Sequence, residues 1–150
     1  MSGQSATTPP SRSLRLVMAT TDIGFILYWA VSGVLALGWL SLPADWLYSD
    51  YSEPMMLTWN WSFAPLDLLA SVTGLWALAR ARRGRPWASL GLISATLTFC
   101  AGFMAISFWA IGQDFDLTWW LPNLFLMVWP IAFVRELASP LNQTRAVGDL

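Results

Sequence analysis

Four long apolar runs constrain this chain more than any other feature. They cover about residues 16–42, 57–79, 87–112 and 117–137, and the first is uncharged from Ile23 to Leu42. About 20 helical residues cross the hydrocarbon core of a bilayer, so each run is long enough to span one. With 56% hydrophobic and only 11% charged residues, the chain lacks the polar shell of a soluble domain, which carries about 25% charge. The expected fold is all-α: an integral membrane four-helix bundle, up-down-up-down, over residues 14–138. At 150 residues there is length for one such domain. A Ser/Thr/Pro-rich segment, 1–13, reads as a disordered tail, and 139–150, opened by Pro140, as a second tail. The first run exceeds the 7–15 residues of a signal-peptide core and has no small-x-small cleavage site after it, so it reads as a retained helix.

The arginines orient the bundle. All eight basic residues are Arg. Arg12 and Arg15 precede the first span, Arg80, Arg82, Arg83 and Arg85 lie between the second and third, and Arg135 and Arg145 follow the fourth. The opposite loops hold Asp45, Asp50, Glu53, Asp114 and Asp116 and no Arg. The positive-inside rule then places both termini in the cytoplasm of a plasma-membrane protein. The tract ARARRGRP at 79–86 fits this topology role, and a net charge of −1 gives no reason to invoke nucleic acid. The 43–56 loop mixes aromatics with acids and is expected to lie in the membrane interface.

Composition also removes chemistry. No His, no Lys and a single cysteine, Cys100, leave no common zinc, haem or Ser-His-Asp site and no intramolecular disulfide. No cofactor, metal or catalytic set is expected, and the chain reads as a non-enzyme.

Helix faces point to a polar interior. In the third span, Gly91, Ala95, Thr98, Gly102 and Ala105 share one face, a stripe suited to close helix approach within the bundle or to a dimer seam. In the second span, Asn60, Ala64, Asp67, Ser71 and Gly74 share another. Asp67 is the ninth residue of the 21 in 59–79, near the midplane, where a carboxylate costs about 2.5–3.5 kcal/mol and turns inward. Pro65 predicts a kink just before it, and Pro122 and Pro130 interrupt the fourth span beside Asn123. Asp67, Asn60, Asn123 and Ser71 are therefore the candidate ligand site. Asp67 is either a hydrogen-bonded clasp, to Asn123 or a backbone carbonyl, or the anchor of a ligand or ion. Asp22 joins the candidates with two readings open: a cap on a helix starting near Ile23, or a buried acid within reach of Arg135 if the helix starts at Leu16.

Of 11 Trp, Trp59, Trp61, Trp119 and Trp120 form an expected aromatic rim above Asp67, with Trp39, Trp46 and Trp109 near the same face. A rim of this kind over a buried carboxylate suits a cationic amphiphile. Trp29 and Trp129 fall near mid-span and need either a partner for the indole N–H or a polar cavity.

At TTDIGFILYW (20–29) and NWSFAPLDLLASVTGL (60–75) the chain resembles the YvaD-like family of small, uncharacterised bacterial membrane proteins with four expected helices. The resemblance implies a bacterial inner-membrane location and supplies no activity. Small multidrug transporters also have four helices but carry an embedded Glu in the first, where this chain offers only Asp22. The expected partners are the lipid bilayer and a lipid or a small apolar or cationic ligand. A homodimer or a larger membrane partner is the alternative, with the chain acting as an accessory subunit or a dimeric proton-coupled transporter.

Overall fold

The structure, a computed structural model, describes residues 8–40 and 53–148. Among the described residues five helices form: α1 (Arg12–Ala36), α2 (Pro54–Trp61), α3 (Ala64–Arg82), α4 (Ala88–Ile111) and α5 (Leu117–Gly148). Together, α2 and α3 make one span, so four units are long and apolar enough to cross a membrane. The fold is all-α. Most of the loop expected at the interface, 43–52 with Asp45, Trp46 and Asp50, lies outside the described residues, as do residues 1–7 of the first tail.

Several boundaries differ from the sequence expectation, among them the end of α1, at Ala36 instead of 42. Ser11, not Asp22, caps α1: its hydroxyl accepts from the Leu14 N–H at 3.1 Å, so the helix starts inside the expected tail and carries Asp22 in its interior. The second span breaks at Ser62–Phe63, just ahead of Pro65. Proline is tolerated in the first turn of a helix, where its missing N–H has no helical partner anyway. The predicted kink is therefore a restart. At the other end of the chain, α5 runs on through Pro140 to Gly148 instead of ending at 137. Proline's fixed φ is compatible with a helix, and its cost is one hydrogen bond and a local bend.

Helix α3 packs on α1 and α4, and α4 packs on α5, while α1 and α5 touch only lightly. The small-residue stripe of α4 is used up in this packing. A Cβ on Gly102 would lie 2.6 Å from the Asn123 carbonyl oxygen and 2.9 Å from the Met127 nitrogen, both backbone atoms of α5. The stripe thus faces the chain's own core and is not a dimer seam. Outside, the helices present Leu27, Val31, Leu69, Val72, Ile93, Phe103, Phe125 and Ile131. An apolar exterior on every helix is what a lipid environment requires.

One end of the bundle is closed. Leu14, Met18, Leu78, Trp87, Trp129 and Leu137 form a buried core there. Glu136 of α5 accepts from both the backbone N–H and the hydroxyl of Ser11. The Trp87 indole N–H donates to the Thr8 carbonyl at 3.0 Å. Gly84, with φ +63°, makes the tight turn from α3 to α4 that gathers this end. Only a residue without Cβ adopts that backbone readily.

Candidate functional site

Toward the other end, α1 and α5 stand apart, and a cavity of about 300 Å³ lies between them. All five helices contribute to its wall. Thr21, Gly24, Tyr28 and Trp29 come from α1, Trp59 and Asn60 from α2, Asp67 from α3, Ala101, Ala105 and Trp109 from α4, and Trp119, Pro122 and Asn123 from α5. The restart at Ser62–Phe63 has a direct consequence here. It sets α2 off from α3, so that Trp59 and Asn60 meet the cavity above Asp67. Small residues at 101 and 105 leave the room that larger side chains would fill.

Asp67 is buried, and its Oδ2 accepts from the Trp29 indole N–H at 2.9 Å. Its partner is thus Trp29, not Asn123 or a backbone carbonyl. Trp29 was recognisable as an indole needing a partner, yet nothing in the spacing linked it to Asp67, 38 residues away. Asp67 Oδ1 is buried and has no hydrogen-bond partner among the described residues. Asn60 Oδ1 accepts from the Tyr28 hydroxyl at 2.9 Å. The Asn123 amide donates to the Trp119 carbonyl one turn back, at 2.8 Å. Three of the expected polar residues, Asp67, Asn60 and Asn123, therefore line one cavity while each is tied to a different partner.

Ser71 does not join them: its hydroxyl donates to the Asp67 carbonyl at 2.8 Å, within its own helix. Asp22 is also absent from the lining. It is fully buried one layer further toward the arginine end, and no Arg135 contact reaches it, since neither carboxyl oxygen has a hydrogen-bond partner. Both earlier readings of its bonding thus fail, the cap because α1 begins ten residues earlier, the pair because Arg135 is exposed.

The aromatic rim is half as wide as expected. Trp59 and Trp119 line the cavity. Trp61 instead packs on Trp29, with centroids 5.3 Å apart. Trp120 stacks on Phe115 at 5.2 Å and donates to the Asp114 carbonyl at 2.9 Å, tying down the turn before α5. Trp109, Tyr28 and Phe63 take the places in the wall that Trp61 and Trp120 do not. Trp59 is held by stacking on Phe108, with centroids 4.1 Å apart.

Residues 14–144 match the model of a family described as a family of unknown function, DUF5360. The chain belongs to this family. It is also 44% identical over 135 residues to the uncharacterized protein YvaD of Bacillus subtilis (strain 168), an alignment covering 89% of this chain and 98% of that protein. The resemblance read from segments 20–29 and 60–75 is therefore correct. No solved structure matches the chain.

Proposed function

We propose that this DUF5360 member is a non-enzymatic multi-pass membrane protein that takes a lipid or a small apolar or cationic molecule into the cavity around Asp67. One observation carries the reading. The cavity is walled mainly by aromatic and small apolar side chains, and among the described residues the polar atoms of its lining residues that are buried without a partner are a carboxylate oxygen, Asp67 Oδ1, and the Thr21 hydroxyl. An apolar pocket with few convergent polar groups is the usual form of a small-molecule site. Ammonium groups are attracted both to a carboxylate and to aromatic faces. The gap between α1 and α5 would admit such a ligand sideways, from the bilayer. The arginine distribution supports a cytoplasmic closed end and cytoplasmic termini, an orientation that would put the cavity in the outer half of the membrane.

Binding is tested on the full chain in nanodiscs with dodecyldimethylammonium as cationic probe and dodecanol as neutral probe, read by tryptophan fluorescence. Saturable binding of at least one probe is expected, and it should vanish in Gly24→Leu, which fills the cavity from α1. Preference for the ammonium should be lost in Asp67→Asn. If neither probe binds, or Gly24→Leu binds as well as the unmodified chain, the cavity is not a ligand site. Orientation is tested separately with reporters after Arg145 and near Asp50, expected inside and outside respectively; an external C-terminal reporter overturns the assignment.

A further inference from the structure

Below the cavity lies a second set of buried polar atoms that the ligand reading does not use. Asp22 is fully buried in α1, and Ser94 and Thr98 are fully buried in α4. Both Asp22 carboxyl oxygens and the hydroxyls of Ser94 and Thr98 lack hydrogen-bond partners among the described residues. Other hydroxyls in the same spans behave differently. Ser71, Thr73, Thr96 and Ser107 each donate to the carbonyl four residues back at 2.7–2.8 Å. Ser94 and Thr98 forgo that bond.

Gly74 of α3 shows where Asp22 and Ser94 meet. A Cβ at this glycine would run into Asp22 Oδ2 and would lie 2.6 Å from Ser94 Oγ. Oxygens from α1 and α4 thus converge on the bare backbone of α3 without hydrogen-bonding to each other. About ten residues separate Asp22 from Arg12, and Thr98 from Ala88. At about 1.5 Å per residue both lie about 15 Å inside the span, near the bilayer centre. Native proteins rarely leave so many neighbouring buried polar atoms unpaired, and a concentration of them calls for an ion or water.

We propose that Asp22 and Ser94, meeting over Gly74, form with Thr98, one turn further along α4, an intramembrane site for a small hard monovalent cation, sodium in the first instance. A cation gathers lone pairs from several oxygens at once. A proton on Asp22 adds a single donor to the group, whereas a cation can be shared by all of its oxygens. One carboxylate with neutral hydroxyls balances a single positive charge. No group of three or more His, Cys, Asp or Glu exists among the described residues, so a divalent or transition metal lacks its usual ligand set. No described Arg is buried to compete for Asp22. The other acid in the interior, Asp67 of α3, faces the cavity and is held by Trp29.

The test is the melting temperature of the full chain in sodium, potassium or choline chloride at constant ionic strength. Sodium, but not choline, should raise it in a saturable way. Well above the dissociation constant, each tenfold rise in free sodium increases the folding constant about tenfold. The response should disappear in Asp22→Asn and move to higher sodium in Ser94→Ala and Thr98→Val. Those two variants keep the question decidable if Asp22→Asn does not fold. It should persist in Asp67→Asn, so loss of probe binding in the cavity and loss of the sodium response are separate failures. Equal melting temperatures in sodium and choline overturn the proposal. So does an infrared protonated-carboxyl band in sodium that is present in the unmodified chain and missing in Asp22→Asn.

Discussion

The two halves of the bundle use the same residue types to opposite ends. At the arginine end, Leu14, Met18 and Leu137 fill the space between α1 and α5, and Glu136 ties the two helices at Ser11. At the far end the same pair of helices encloses a cavity of about 300 Å³, because α1 offers Gly24 and α4 offers Ala101 and Ala105. Tryptophan follows the same division. Trp87 and Trp129 are buried in the closed half, whereas Trp29, Trp59, Trp109 and Trp119 are wall. In a bilayer, helices gain little from hiding apolar surface, so fit and polar contacts decide where they touch. Where close approach is unavailable, the gap persists.

Substitutions can break this contrast from either side. The largest effect is expected where α4 and α5 nearly touch. Gly102→Leu must push α5 away, since backbone atoms cannot yield as a side chain can. A loss of about 3 kcal/mol or more is expected, at the upper end of overpacking costs. Met104→Leu, exposed on the same helix, should leave the melting temperature unchanged. Equal melting temperatures for the two variants would show that the stripe does not set helix approach.

Next comes the Asp67–Trp29 hydrogen bond. Asp67→Leu strands the indole N–H in an apolar setting and should cost about 1–3 kcal/mol. Asp67→Asn keeps an acceptor and should cost much less. A double-mutant cycle with Trp29→Phe measures the coupling; a value near zero would dissolve the bond as a structural element.

Smaller still is the closed end. Ser11→Ala removes the cap of α1 and one of its two hydrogen bonds to Glu136, for about 1 kcal/mol. Chemical denaturation of the full chain in detergent should resolve it, and no loss would mean that the apolar contacts alone hold α1 to α5 there. The smallest change runs the other way. Nothing lies within 4 Å of a Cβ on Gly24, so Gly24→Leu should gain up to about 1 kcal/mol from helix propensity while blocking the cavity. A destabilised Gly24→Leu would mean that the cavity wall is tighter than its geometry indicates.

Much of this was legible in the chain. Four apolar runs specify four helices long and apolar enough to cross a membrane, because a helix satisfies its backbone hydrogen bonds within one segment. The spacing of Asn60, Ala64, Asp67, Ser71 and Gly74 identified an inward face, since helical periodicity is local. Pro65 marked the break, though the restart at Ala64 needed the structure. Pro140 reads as a stop in the sequence, yet α5 runs through it to Gly148, because a long helix absorbs the loss of one hydrogen bond.

Partnership is what the amino-acid order left open. That Asp67 pairs with Trp29, that Ser71 turns back on its own helix, and that Asp22 meets Ser94 over Gly74 depend on the relative rotation and height of three helices. Periodicity assigns each residue to a face but carries no register between faces. The glycines show that register in the folded bundle: at Gly102 a missing Cβ lets two backbones lie close, and at Gly74 and Gly91 it admits neighbouring side chains. Sequence alone therefore determined the spans, the charge asymmetry and the family, which follow from local composition and order. Only tertiary structure decided which polar atoms share a cavity, which remain without a partner, and where the bundle stays open.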